Sequence, residues 1–249
     1  MAGASTGHTR IGRVDALYLR RRIGAAPEAV PRLQAWESSG LDGDVQRDAL
    51  SPRQLLIAGT PAYARLGLAP NALRENLLLD LDSATLRSGQ LLAVGPDAVF
   101  TLMFACEPCG RLNVYQPRLS ASIGAQRGML ARVLRSGTVA PGDPVHLLDA
   151  TLPAWSDDWR ARVEAVLRRV PPDMVVEYRQ LALLAGVALT YCRVFPRVAR
   201  ALGCADKAVP LRSSSPLPRW DGAGLFDGLA PDTHQAGTGS GKRAGSLKL

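Results

Sequence analysis

Cys106-Glu107-Pro108-Cys109 is the stretch of this sequence best suited to chemistry. Two cysteines three residues apart form a redox pair, half of a metal site, or a pair of small buried apolar side chains. Only the thiolate acts as a nucleophile or metal ligand, and a nearby cation such as Arg111 favours that form. A zinc site needs about four ligands. The remaining cysteines, Cys192 and Cys204, stand alone, and His8, His146 and His234 form no ligand pair, so zinc is not expected. The element that must deliver the cysteines is the apolar run over residues 98–104, read as a strand. Pro108 has no N–H for a ladder and Gly110 tolerates unusual dihedrals, so the strand stops at the cysteine loop.

A chain of 249 residues has room for one large domain or two small ones, and an apolar fraction of 47% suffices for a folded core. No apolar run approaches the roughly 18 residues a membrane helix needs. The first ten residues hold no apolar signal core, so a cytoplasmic protein with no membrane partner is expected. Lys and Arg number 30 against 22 Asp and Glu, a formal charge of +8. Lysine occurs only at Lys207, Lys242 and Lys248, so the positive charge is nearly all arginine, whose planar fork suits oxyanions. Residues 151–229 carry 11 basic and 8 acidic side chains, too small a surplus to argue for DNA binding by charge alone. A lysine Schiff base is the usual anchor of pyridoxal phosphate, and the first 150 residues have no lysine, so that cofactor is not expected.

Residues 1–10 read as disordered, and 12–19 as a strand. Residues 25–39 read as an irregular, proline-containing connection, and Gly40-Leu-Asp-Gly-Asp44 as a turn. Further strands are expected over 54–58, 75–80, 90–94, 98–104 and 144–148, with a helical turn over 61–66. Residues 127–134 read as a helix with Leu130, Val133 and Leu134 on its apolar face. Many short strands separated by turn signals indicate a β-barrel or sandwich. After residue 150 the pattern changes. A linker over 151–155 precedes helices over 157–169, with acids in its first turn, 178–185 and 191–202. Gly186 and Gly203 close the last two, and Pro196 either kinks the third or marks its true start. The tail, rich in Gly, Ser and Thr, reads as disordered.

Several pieces in order resemble the MOSC domain, the module at the C-terminus of molybdenum-cofactor sulfurases that also occurs as free-standing bacterial proteins. They are Gly40-Leu-Asp-Gly-Asp44, Arg53-Gln54, Glu75-Asn76-Leu77, Leu86 with Gly89, Pro108-Cys109, and Arg132-Val-Leu-Arg-Ser-Gly-Thr138 leading into Gly142-Asp143. The resemblance implies a mainly β barrel handling a phosphate-bearing pterin, the molybdenum cofactor (molybdopterin). It also implies a cysteine that accepts sulfur as a persulfide or ligates molybdenum. Cys109 takes that place because it follows the proline, and Cys106 would resolve its persulfide as a disulfide. Arg53, Asn76 and Arg132 match pocket positions of the family. Arg74, Arg111 and Arg135 are further candidates for the cofactor phosphate by charge and proximity. Many relatives carry a histidine shortly after the Gly-Asp turn, where this chain has Val45-Gln46.

Val170-Pro-Pro-Asp-Met-Val-Val-Glu-Tyr178, Leu181-Ala182 and Ala185-Gly186 resemble the DNA-binding half of alkylguanine-DNA alkyltransferases and alkyltransferase-like proteins. That family fills the hole left by a flipped base with an arginine. Arg193 is nearest that position, Tyr178 matches the tyrosine before it, and Arg197 is a further contact candidate. The family's Pro-Cys-His-Arg segment is here Pro210-Leu211-Arg212-Ser213, so alkyl transfer is not expected.

The expected fold class is α+β: a mainly β MOSC-like barrel (11–150) followed by a small helical, winged-helix-like domain (151–229), with disordered ends at 1–10 and 230–249. The expected function is molybdenum-cofactor binding, or carriage of sulfur as a persulfide, by a sulfurtransferase or a small molybdenum-dependent oxidoreductase. A cysteine desulfurase or a molybdenum enzyme would then be the partner. The alternatives are DNA binding through the second domain without alkyl transfer, or a protein-interaction module.

Overall fold

The computed structural model describes residues 7–227. Its strands are β1 (His8–Leu19), β2 (Glu28–Ala29), β3 (Leu33–Trp36), β4 (Gly40–Leu41), β5 (Leu55–Gly59), β6 (Leu77–Leu79), β7 (Gln90–Val94), β8 (Ala98–Ala105), β9 (Met129–Arg135), β10 (Gly137–Val139), β11 (Pro144–Thr151), β12 (Val176–Glu177) and β13 (Ala208–Val209). The α-helices are α1 (Thr60–Leu66), α2 (Leu119–Ser122), α3 (Trp159–Leu167), α4 (Tyr178–Leu184) and α5 (Phe195–Ala201). None of the helices among the described residues is long and apolar enough to cross a membrane.

Among the described residues, seven strands run β11-β7-β8-β9-β5-β6-β1, and the pairing of β1 with β11 closes the ring. Closure leaves no free edge. Only β5 and β6 pair in parallel within the ring. The barrel interior is filled by alternate residues: Val14 and Leu17 from β1, Leu77 and Leu79 from β6, Phe100 and Leu102 from β8, Ala131 and Val133 from β9. Burying a Leu or Phe side chain contributes about 1.5–3 kcal/mol.

Residues 127–134, expected as a helix, instead form most of β9. The reason is that β9 is covered on both faces. Met129, Ala131 and Val133 enter the barrel, while Leu130 and Leu134 join an outer cluster with Leu56, Met103 and Phe104. A strand buried on both sides loses its period-2 signature, so its apolar run mimics a buried helix. Gly128 starts it with φ +95, and a Cβ there would meet the Ile57 carbonyl oxygen. The first residues also differ from expectation. His8, Thr9 and Arg10 belong to β1, paired with Leu148, Leu147 and His146. The connection over 25–39 holds β2 and β3, and β3 joins β4 and β10 in a separate three-stranded sheet. Strands of two to four residues are too short for a periodic signal.

Beyond β11 the chain forms a second apolar cluster from α3, α4 and α5, including Val163, Val166, Leu181, Leu184 and Phe195. Asp158 caps α3 by accepting from the Arg160 N–H (3.0 Å), so the acids expected in its first turn lie just ahead of it. Gly186 follows α4 with φ +63, the left-handed closure its position predicts. The expected helix over 191–202 is a 3-10 turn (Leu189–Arg193) followed by α5, with Pro196 in the first turn of α5. Val176 and Glu177 pair in parallel with Ala208 and Val209. The expected disordered tail over 230–249 lies outside the described residues.

Candidate functional site

A cavity of about 770 Å³ opens between one rim of the barrel and α4. Cys106 and Cys109 both line it. A register shift between Leu102 and Phe104 turns the end of β8 outward just before the cysteine loop. The Cys106 N–H donates to the Gly128 carbonyl (2.8 Å), which keeps Cys106 buried at the root of the loop. Cys109 is exposed and precedes a 3-10 helix, Gly110–Val114. Its carbonyl accepts from the Leu112 N–H (3.0 Å).

Six arginines line the same cavity: Arg20, Arg53, Arg74, Arg111, Arg127 and Arg179. Among the described residues none of these six belongs to an ion pair. Of the two acids on its walls, Glu177 is already paired with Arg219 (3.5 Å). The guanidinium of Arg20 has its pKa lowered, mainly by burial. Asp44 opposes that shift, while Arg74, Arg111 and Arg127 push the pKa down further. Four cations therefore crowd one end of the cleft.

Arg20, Arg53 and Arg74 stand on loops, Arg111 and Arg127 on 3-10 helices, and Arg179 on α4. Asp44, at the end of the Gly40–Asp44 segment, accepts from the Arg20 N–H (3.1 Å) and the Gln46 N–H (2.8 Å) and sets both residues at the wall. Arg74 has φ +57, an uncommon left-handed conformation for a side-chain-bearing residue. It donates to the Tyr115 hydroxyl (3.1 Å) and the Ala25 carbonyl (2.8 Å), tying three loops together at the mouth. Arg127 is buried. Its Nη1 donates to the Leu73 carbonyl (2.7 Å), and its Nε has no protein partner. An unpartnered buried donor is costly. Beside it, Glu75 is fully buried, and the Tyr63 hydroxyl donates to its two oxygens (2.7 and 2.8 Å). Burial pushes the Glu75 carboxyl up, while the hydrogen bond from Tyr63 and the charge of Arg127 oppose that shift.

Of the residues singled out in the sequence, the cleft gathers Cys106, Cys109, Arg53, Arg74, Asn76 and Arg111. Asn76 is committed to the scaffold: it donates to the Tyr18 carbonyl (3.2 Å) and Asp44 (2.9 Å) and accepts from the Leu56 N–H (3.0 Å). Arg53 donates to the Gly186 carbonyl (2.9 Å), joining barrel and helices. Arg132 and Arg135 lie elsewhere. Arg132 is buried in another cavity under the Phe226 ring (3.8 Å), donating to the Ser51 and Ala49 carbonyls. Burial lowers its pKa to about 10, against the pull of Asp48. Arg135 donates to the Asp97 carbonyl at an exposed strand end. Tyr178, half-buried against Phe195, and the exposed Arg193 and Arg197 do not line the cleft.

Arg20, Gln46, Arg127 and Arg179 are cleft residues that sequence reasoning missed. The run Arg20-Arg21-Arg22 directly after a strand was a usable signal for the first. Among the described residues no group of three His, Cys, Asp or Glu is arranged to hold a metal ion.

Residues 54–146 match the MOSC domain family model, a span that includes both cysteines of the loop and Arg74, Arg111 and Arg127. Comparison with curated proteins finds no match. Among solved structures, the YuaD protein from Bacillus subtilis superposes with a TM-score of 0.50 at 18% identity, over 57% of this chain and 97% of that one. YiiM from Geobacillus stearothermophilus gives 0.46 at 15% identity, over 75% and 98%. YiiM from Escherichia coli gives 0.44 at 21%, over 77% and 94%. The likeness to YuaD is one of fold.

Proposed function

We propose that this MOSC-type barrel binds the phosphate-bearing molybdenum cofactor in the arginine-lined cleft and transfers sulfur through Cys109. The observation that carries the reading is the meeting of two features in one cavity. An exposed thiol and six guanidiniums that have no ion-pair partner among the described residues line the same cleft. A phosphate ester supplies the negative charge that this cluster lacks. The volume of about 770 Å³ suits a pterin with its phosphate. Arg20, Arg74, Arg111 and Arg127 would hold the phosphate, with Arg53 and Arg179 towards the helices. When bound, the cofactor would supply the molybdenum chemistry, and Cys109 would present its thiolate beside it.

The chain's own chemistry is thiol exchange. The Cys109 thiolate attacks the terminal sulfur of a donor persulfide, a new S–S bond forms at Cys109, and the donor leaves as a thiolate. The terminal sulfur then passes to an acceptor, and Cys109 returns to the thiolate. The exposure of Cys109 gives a protein donor access to it. Once the loop opens, the Cys106 thiolate, three residues back, would attack the inner sulfur of a stalled Cys109 persulfide, forming the Cys106–Cys109 disulfide as the outer sulfur leaves as hydrosulfide.

A fluorescence titration with a pterin monophosphate and the same pterin without phosphate tests the binding. The phosphorylated form should bind about a hundredfold tighter, from about 3 kcal/mol of charge-assisted hydrogen bonds. That advantage should shrink as salt rises. Equal affinity for the two would contradict the reading.

A further inference from the structure

The helical segment grips the root of the cysteine loop with Asp157 and, more deeply, with Arg162. Arg162 of α3 is completely buried. Its Nε donates to the Ala185 carbonyl (3.0 Å), and its Nη1 to the carbonyls of Ser156 and Asp157 (2.9 Å each). Its guanidinium lies 3.8 Å over the Phe104 ring, the side chain that the β8 register shift turns outward. Held in this way, it has Nη2 left to donate to Glu107, at 2.9 Å. Glu107 sits between the two cysteines and is 39% exposed.

Three consecutive residues at the loop root are therefore tied. The Ala105 N–H donates to Asp157 (2.7 Å), the Cys106 N–H to Gly128, and Glu107 accepts from Arg162. Cys109 lies two residues beyond the last tie, where the chain becomes exposed.

We infer that Arg162 is a positioning residue for Cys109: anchored inside the helical segment, it grips Glu107, fixes where Cys109 opens into the cleft, and keeps Cys106 covered. The inference rests on Cys109 being the reactive thiol. It assigns the helical segment a part in the barrel's own chemistry. Four of the five guanidinium N–H groups of Arg162 have acceptors here, and a lysine ammonium cannot reproduce that fork.

The test uses the full chain with Glu107→Ala, Glu107→Gln and Arg162→Lys, checked for folding by thermal melts. Two rates are read: carbamidomethylation of each cysteine by iodoacetamide, and sulfur loading of Cys109 from a cysteine desulfurase with cysteine. In Glu107→Ala and Arg162→Lys, labelling of Cys106 should speed up about tenfold as the loop root opens. Loading of Cys109 should fall about tenfold with an unchanged half-saturating desulfurase concentration. Glu107→Gln keeps an oxygen for Nη2 and should restore both rates. A folded Glu107→Ala protein that labels and loads like the wild type overturns the inference, and so does a Glu107→Gln protein no better than Glu107→Ala. If the wild type takes up no sulfur at Cys109, the proposed sulfur transfer fails, while the Cys106 labelling still decides the clamp.

Discussion

Cys109→Ala should abolish sulfur uptake by this protein. After incubation with a cysteine desulfurase and free cysteine, without reductant, the wild type should contain a species one sulfur atom heavier, mapped by peptide mass spectrometry to Cys109. Cys106→Ala should still gain that sulfur, because Cys106 is buried and Cys109 exposed. Exchange requires a thiolate that a donor can reach, so the difference between the two variants should be all or none. Sulfur that persists in Cys109→Ala would move the chemistry to another cysteine. A wild type that gains no sulfur while still binding the phosphorylated pterin would point to direct ligation of the metal by Cys109.

The next largest effect is expected at Arg127. Arg127→Met should weaken binding of a pterin monophosphate about a hundredfold, since two charge-assisted hydrogen bonds lost come to about 3 kcal/mol or more. Arg127 is largely buried, lines the cleft and belongs to no ion pair among the described residues. A cation held in that way binds an anion with little competition from water. Arg111, on the exposed 3-10 turn, faces more competition, and Arg111→Met should cost about fivefold. Measuring both variants in one titration series checks the ranking. Equal losses would mean that the cleft attracts the phosphate only as a diffuse charge.

Much of the barrel was legible because turn and breaker residues bound its strands in the sequence. The strand over residues 90–94 follows a tight turn, and the cysteine loop ends its strand with proline and glycine where the backbone demands it. The failures have one physical origin: information held by tertiary contacts. Residues 127–134 read as a helix because both faces of β9 are covered, one by the barrel interior and one by the cluster that includes Leu56, Met103 and Phe104. That error also hid Arg127, which would have stood on a helix instead of in the turn that aims it into the cleft. Arg132 and Arg135 share the motif of a pocket residue, yet the pleat and the strand end carry one under Phe226 and the other to Asp97. The cysteine loop could be read from residue types alone. Its grip by Arg162, which lies 55 positions from Glu107, could not.

Cys109 and the arginines are proposed to serve one ligand in one cleft. The most direct measurement is protection: the rate of Cys109 carbamidomethylation by iodoacetamide across a series of pterin monophosphate concentrations. Labelling of Cys109 should slow as the ligand saturates, with a midpoint equal to the dissociation constant from fluorescence, and Arg127→Met should move both midpoints together. Labelling of Cys109 that stays constant at ligand concentrations saturating the fluorescence signal would place thiol and phosphate in separate sites and contradict it.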